Sequence, residues 1–163
     1  MTGRDVAFGM VANAQTRLLL LGSLPGRASL AAGRYYAHPR NQFWRLLSPV
    51  VGADLMAMDY EARLSALLGA GIGLWDVVAS ARRRGSLDAD LREVEARDLR
   101  RAAAWLPALR AMGFNGGKAY AIARAQLGDD FPVPLIALPS SSPAHAVGLA
   151  VKQPAWEALA GWL

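Results

Sequence analysis

Cysteine is absent from all 163 residues, which excludes disulfides, thiolate zinc sites and iron–sulfur clusters and fits a reducing compartment. Histidine is scarce. His38 and His145 are the two in the chain, too few for a histidine-rich metal site, so neither a metal nor a cofactor is expected. Lysine is nearly absent as well: Lys118 and Lys152 are the two among 18 basic residues, leaving sixteen arginines. No apolar run approaches the ~20 residues of a membrane helix. The interrupted opening MTGRDVAFGMVANAQTR does not read as a secretory signal. No repeat, low-complexity tract or linker breaks the chain, so residues 1–163 are expected to form one domain.

What is present is base and apolar bulk. Lys+Arg outnumber Asp+Glu by 18 to 13, a net charge of +5, with a pI near 10.2. Arginine forks match phosphate oxygens and stack on bases, which favours a nucleic-acid partner. Composition alone leaves a second reading open, a coding bias that supplies arginine wherever a cation will serve.

Hydrophobic patterning alternates strand with helix. Thr16–Leu21 reads as a first buried strand, and Asn41 or Gln42 to Val51 as a helix with Phe43, Leu46, Leu47 and Val50 on one face. Asp59 is placed to cap a helix over Tyr60–Leu68, ending at Gly69–Gly73. Ile72–Val78 reads as a second strand, Ala81–Asp90 as a polar loop, and Arg97–Ala104 as a helix before Pro107. Ala111–Asn115 is a third strand, Lys118–Leu127 a helix, Pro134–Leu138 a fourth strand, and Ala155–Trp162 a closing helix. The expected fold is α/β: a three-layer sandwich with a central parallel sheet of about four strands flanked by helices.

The strand ends carry the chemistry. In such sheets ligands bind beyond the carboxyl ends of the strands. There the chain places Gly22–Gly26, then Trp75, Asp76 and Ser80, then Phe114–Gly117, then Pro139–His145. Between Gly22 and Trp44 the segment GSLPGRASLAAGRYYAHPRNQFW crowds Tyr35, Tyr36, His38, Pro39 and Asn41 into seven positions. A loop that only joined two elements would not need them. Ser140, Ser141 and Ser142 offer hydroxyls and amides suited to phosphate, and the flanking Pro139 and Pro143 stiffen the loop.

Three of these segments, GSLPG (Gly22–Gly26), YAHPRNQFW (Tyr36–Trp44) and LPSSSPAHA (Leu138–Ala146), resemble the motifs of the uracil-DNA glycosylase superfamily. The gap between the first two is similar to that of the mismatch-specific uracil/thymine glycosylases, whose segments read GINPG and FAHPxNRFW. GLWDVVASARRRGSL (Gly73–Leu87) and FNG (Phe114–Gly116) more closely resemble the hypoxanthine-DNA (deoxyinosine) glycosylase branch. The resemblance spans Leu18 to Trp156. It implies a cofactor-free, monomeric enzyme of base excision repair acting on DNA with a deaminated base, working in the cytoplasm at the nucleoid without membrane contact.

The resemblance also distributes roles. Asn41 stands at the position implied to be catalytic, and Ser23 is taken as catalytic with it. An amide is no general base at neutral pH, so the part for Asn41 is positional. Tyr36 would stack the flipped base, at ~1–3 kcal/mol. Asp76 would read it: hypoxanthine N1–H and uracil N3–H both present a donor to a carboxylate, whereas adenine presents a lone pair. Leu24, Gly26 and Ser140 would complete the base site. Ser142, Pro143, Ala144, His145, His38, Asn115 and Lys118 would hold the DNA, with His145 filling the gap left by the small Ala144. Leu24 stands where the mismatch-specific enzymes carry asparagine, and Ser140 where the prototypic uracil enzymes carry histidine, so the resemblance implies hypoxanthine before uracil. Uracil or mismatched thymine remains an alternative substrate, and a non-catalytic nucleic-acid-binding module an alternative function.

Single residues keep blander readings. His38 would serve mainly to brace its loop, and Arg82–Arg84 to form a solvated run. Phe43, Trp44 and Trp75 read as core. Asp76 has the alternative of capping a helix or pairing with Arg82.

Overall fold

Four consecutive leucines dictate the centre of the fold. In strand β2 (Leu18–Gly22) every residue is buried, with Leu18 and Leu20 in one apolar cluster and Leu19 and Leu21 in another. A strand apolar on both faces belongs inside a helix-covered parallel sheet. β2 lies between β3 (Ile72–Asp76) and β6 (Ala111–Asn115), with β7 (Leu135–Leu138) outside β6, and all these pairings are parallel. Full burial of a leucine side chain contributes ~1.5–3 kcal/mol, which offsets the ~1–2 kcal/mol per residue of ordering the strand backbone.

The computed structural model describes residues 3–163. On one face of the sheet α2 (Phe43–Val51), α3 (Tyr60–Gly69) and α6 (Leu149–Glu157) contribute Phe43, Leu47, Leu67 and Trp156 to the first cluster. On the other, α4 (Leu99–Ala104) and α5 (Gly117–Leu127) contribute Leu99, Ala102, Ala119 and Ala123 to the second. Asp59 caps α3 by accepting from the Ala62 amide at 2.8 Å. The three-layer α/β sandwich with four parallel strands is as the sequence predicts.

A second sheet is not anticipated in the sequence. The apolar run expected over Ile72–Val78 is divided at Val77: β3 ends at Asp76, and the Val77 and Val78 amides make the last bonds to the end of β2, at the Gly22 and Ser23 carbonyls. The chain leaves the parallel sheet there and continues as β4 (Val78–Arg82), paired antiparallel with β1 (Asp5–Val6) and β5 (Arg92–Ala96). β5 reads REVEA and is exposed throughout, and β1 is two residues long, so neither carries a period-two signature. The polar loop expected from Ala81 starts after Arg82 and contains a short 3-10 turn, Asp88–Asp90. A helix, α1 (Arg27–Ala32), occupies part of the expected loop after GSLPG. The last helix begins at Leu149 instead of Ala155.

Individual side chains differ too. Arg83, expected in a solvated run, is buried, and donates to Asp5 Oδ2 at 3.1 Å and to the Pro25 carbonyl. Arg82 pairs with Glu93 at 2.7 Å. Trp75 is half-buried, with the Arg97 guanidinium 4.3 Å over its ring. Phe43 and Trp44 are core, as expected.

Candidate active site

The carboxyl ends of β2, β3, β6 and β7 open into one cavity of about 330 Å³, at the small end of the ~300–1,000 Å³ usual for ligand sites. Its wall is built from Gly22–Ser29, Tyr35, Tyr36, His38, Asn41, Asp76, Ser86–Asp88, Asn115 and Ser140–His145. The sequence-derived candidates Ser23, Leu24, Gly26, Tyr36, His38, Asn41, Asp76, Asn115, Ser140, Ser142, Pro143, Ala144 and His145 are thus brought together. Lys118 is not among them; it is exposed on the first turn of α5.

The floor is a close meeting of Gly22, Asp76 and Tyr36. A Cβ at Gly22 would lie 2.8 Å from Asp76 Oδ1 and 3.2 Å from the Tyr36 hydroxyl, so only glycine lets both reach this end of β2. Tyr36 has a positive φ of 53°, a backbone state that costs a non-glycine residue on the order of 1–2 kcal/mol. Its ring stacks on Phe43 with centroids 3.7 Å apart and planes at 14°, and the residue borders the cavity. Its carbonyl accepts from Trp44 Nε1 at 3.2 Å. Burial, reinforced by the Asp76 charge, pushes the Tyr36 hydroxyl well above its ordinary pKa. Asn115 is near enough to ease that shift, yet among the described residues no group meets the hydroxyl at hydrogen-bonding geometry.

Asp76 is buried, and among the described residues its Oδ2 has no hydrogen-bond partner. Desolvation raises its pKa to about 7; Arg97 and Arg83 pull the other way, and Asp88 adds to the rise. A buried carboxylate with its pKa raised toward neutrality beside a cavity marks a candidate functional group.

One side of the cavity is a hydrogen-bonded chain. Asn115 Nδ2 donates to Ser141 Oγ at 2.8 Å, and Ser141 Oγ donates to Asn41 Oδ1 at 2.7 Å. The Ser141 amide returns to Asn115 Oδ1 at 2.8 Å. Asn41 Oδ1 also accepts from the Phe43 amide at 3.0 Å. Gly116, with φ 101°, keeps the end of β6 close to Ser140, whose Cβ would lie 3.3 Å from any Cβ added there.

The opposite side carries a group that sequence reading missed. Ser23 Oγ donates to Asp88 Oδ1 at 2.5 Å. Burial raises the Asp88 pKa, while Ser23, Arg83 and Lys118 favour its anion. The loop bearing Asp88 is strapped to the first turn: Arg27 donates to Asp5 Oδ1, the Gly85 carbonyl and the Arg83 carbonyl, and Ser86 Oγ accepts from the Arg27 amide. Ser141, named only as part of the serine run, proves to be the link between Asn41 and Asn115. For Asp88 the available signal was an acidic SLDAD following three arginines.

The lip is polar and turned tightly. His38 Nδ1 accepts from the Arg40 amide at 3.1 Å and the His38 carbonyl from the Asn41 amide at 3.0 Å, so His38 braces its loop. The Ser140 and Ser142 hydroxyls accept from the amides of Ser142 and Ala144. Ala144 and His145 are exposed at the rim. Among the described residues no group of three His, Asp or Glu could hold a metal.

Comparison with known proteins agrees with this geometry. The chain is 36% identical over 152 residues to a hypoxanthine DNA glycosylase of Methanosarcina acetivorans, covering 93% of this chain and 95% of that one. It is 40% identical over 111 residues to a hypoxanthine DNA glycosylase of Methanosarcina barkeri, covering 68% and 70%. A solution NMR structure from Methanosarcina acetivorans, described as a candidate uracil DNA glycosylase, superposes with a TM-score of 0.84 at 35% identity over 97% of each chain. The uracil DNA glycosylase superfamily model matches residues 8–160, and the chain belongs to that superfamily.

Proposed function

We propose that the cavity receives hypoxanthine flipped out of DNA and that the protein hydrolyses its N-glycosidic bond. The superfamily and the curated relatives make the chain a DNA glycosylase, a hydrolase of N-glycosyl bonds. The observation that carries the choice of base is Asp76, a buried carboxylate against the cavity floor. Its anion accepts the N1–H of hypoxanthine and repels the N1 lone pair of adenine. The Tyr36 ring stacks the base, and the Asn41 amide orients water or sugar. The bond breaks through an oxocarbenium-like sugar, so register among base, sugar and water is the main catalytic demand. Flipping costs a few kcal/mol, least at a mismatch. Ser140–His145 and Lys118 border the path of the DNA backbone. The protein acts as a monomer on damaged DNA.

Asp76 would accept uracil N3–H equally, but Leu24 offers nothing to a pyrimidine or to its water. The test is a panel of duplexes carrying hypoxanthine, uracil, xanthine or mismatched thymine, assayed for alkali-labile abasic sites. Fastest cleavage at hypoxanthine is the expected outcome. A uracil rate above the hypoxanthine rate would reassign the base, and binding without any cleavage would leave a nucleic-acid-binding module.

A further inference from the structure

Asn41 cannot take a proton from water, and its hydrogen bonds show why. A carbonyl oxygen has two lone pairs, and Asn41 Oδ1 already accepts from the Phe43 amide and the Ser141 hydroxyl. Asn115 Nδ2 is itself a donor to Ser141 Oγ, so the Ser141 proton goes to Asn41 Oδ1. Asn41 borders the cavity, and with Oδ1 occupied the atom it has left to offer is Nδ2, a donor. A donor holds water by its lone pair, the pair needed for attack, and leaves its protons unclaimed.

His38 does not fill the gap. Its Nδ1 accepts from the Arg40 amide, so in the neutral ring Nε2 carries the proton and is a donor too. The Ser140 hydroxyl accepts from the Ser142 amide. Two carboxylates border the cavity, Asp76 and Asp88, and Asp76 is committed to the base.

We propose that Asp88 is the proton acceptor for the attacking water and that Ser23 holds it in position. The inference rests on the glycosylase reading. The water oxygen bonds to C1′ while the C1′–N9 bond breaks, and that electron pair leaves with the base. The water proton passes to the Asp88 carboxylate, which returns it through solvent to the departing base. Free base and an abasic sugar result, with one water consumed.

The placement is built for this. Ser23 lies beside Leu24 in the GSLPG turn and donates to Asp88 Oδ1 across a sequence separation of 65. The carboxylate thus reaches the turn from another loop, where the turn itself offers an apolar side chain. The strap from Arg27 and the buried Arg83 fixes the loop. Burial raises the Asp88 pKa, the Arg83 and Lys118 cations that face it favour its anion, and the facing Asp76 carboxylate opposes it. Ser23 supplies the direct hydrogen bond.

Asp88→Asn keeps the shape and can keep the Ser23 contact. Under single-turnover conditions at saturating enzyme, it should cleave a hypoxanthine duplex on the order of 10²–10⁴-fold more slowly. The acidic limb of the rate profile should flatten. Affinity for a duplex with a non-cleavable 2′-fluoro hypoxanthine nucleotide should hold. Formate should restore part of the rate of Asp88→Ala, and Ser23→Ala should move the acidic limb to higher pH. Asp88→Asn cleaving at the wild-type rate with an unchanged limb overturns the inference, as does a loss of rate matched by a loss of affinity. Wild-type protein that releases no base from any duplex overturns the glycosylase reading and this inference together; an active wild type beside an unimpaired Asp88→Asn overturns the inference alone.

Discussion

Ser141 Oγ lies 2.7 Å from Asn41 Oδ1 and 2.8 Å from Asn115 Nδ2, so a single hydroxyl couples the loops that follow β2 and β7 to the end of β6. Its own proton is directed at Asn41 Oδ1, which leaves Asn41 Nδ2 as the free end of that amide.

Ser141→Ala should therefore impair catalysis without touching substrate. The Asn115 amide loses its acceptor and Asn41 half of its anchoring, at ~1–2 kcal/mol of stability. We expect single-turnover cleavage to fall roughly 10-fold as the Asn41 amide loses orientation, with little change in DNA affinity. Thermal melts and single-turnover rates measured on the same preparation check both parts.

Asp76 trades stability for function. Its folded-state pKa is about 7 against an ordinary 3.8. A raised carboxyl pKa stabilises the fold fully below 3.8, and that contribution is lost as pH rises to about 7. Asp76→Asn removes the cost of the buried anion, so it should be more stable than wild type at pH 8, on the order of 1–3 kcal/mol, with the gap closing toward pH 4. The same variant should lose most hypoxanthine cleavage. Urea titrations at pH 4 and pH 8 give the sign; a variant destabilised more at pH 8 than at pH 4 would refute the assignment.

Gly22→Ala probes the floor. The added methyl would fall 2.8 Å from Asp76 Oδ1 and 3.2 Å from the Tyr36 hydroxyl, so one of them must move out of the base site. We expect a folded protein with hypoxanthine cleavage reduced by about 10²-fold or more, as ~1 Å displacements in active sites cost. Inhibition by free hypoxanthine should weaken in parallel.

Leu24→Asn restores the amide carried by the mismatch-specific relatives. Leu24 borders the cavity but belongs to the buried cluster beneath it, so the swap should cost ~1–3 kcal/mol for a poorly partnered amide. The uracil-to-hypoxanthine rate ratio should rise, because a polar group then faces the smaller base. An unchanged ratio in a folded variant would show that cavity shape sets base choice.

The parallel sheet was readable because its strands are short apolar runs bounded by glycine and proline, and Leu18–Leu21 alone announces a buried centre. The cavity was readable because strand ends converge by topology, which places Asp76 there, while Tyr36 and Asn41, beyond α1, were drawn to it by the family resemblance. Pairings between distant polar loops leave no periodic trace. Asp88 looked like one acid in a solvated loop, and Arg83 like one of three exposed cations. Only the fold shows that Arg83 is buried against Asp5 and Pro25, and that Asp88 meets Ser23. The antiparallel sheet escaped notice for a related reason: β5 is exposed throughout and is ordered by its backbone ladder, not by burial.

The most direct test of the whole account is single-turnover release of free hypoxanthine from a duplex, measured for wild type and Asn41→Ala side by side with their DNA affinities. Wild type should release the base, and Asn41→Ala should do so on the order of 10²-fold more slowly at nearly equal affinity, since the amide acts mainly in the transition state. Equal rates for the two proteins, or a wild type that binds the duplex and releases nothing, would contradict it.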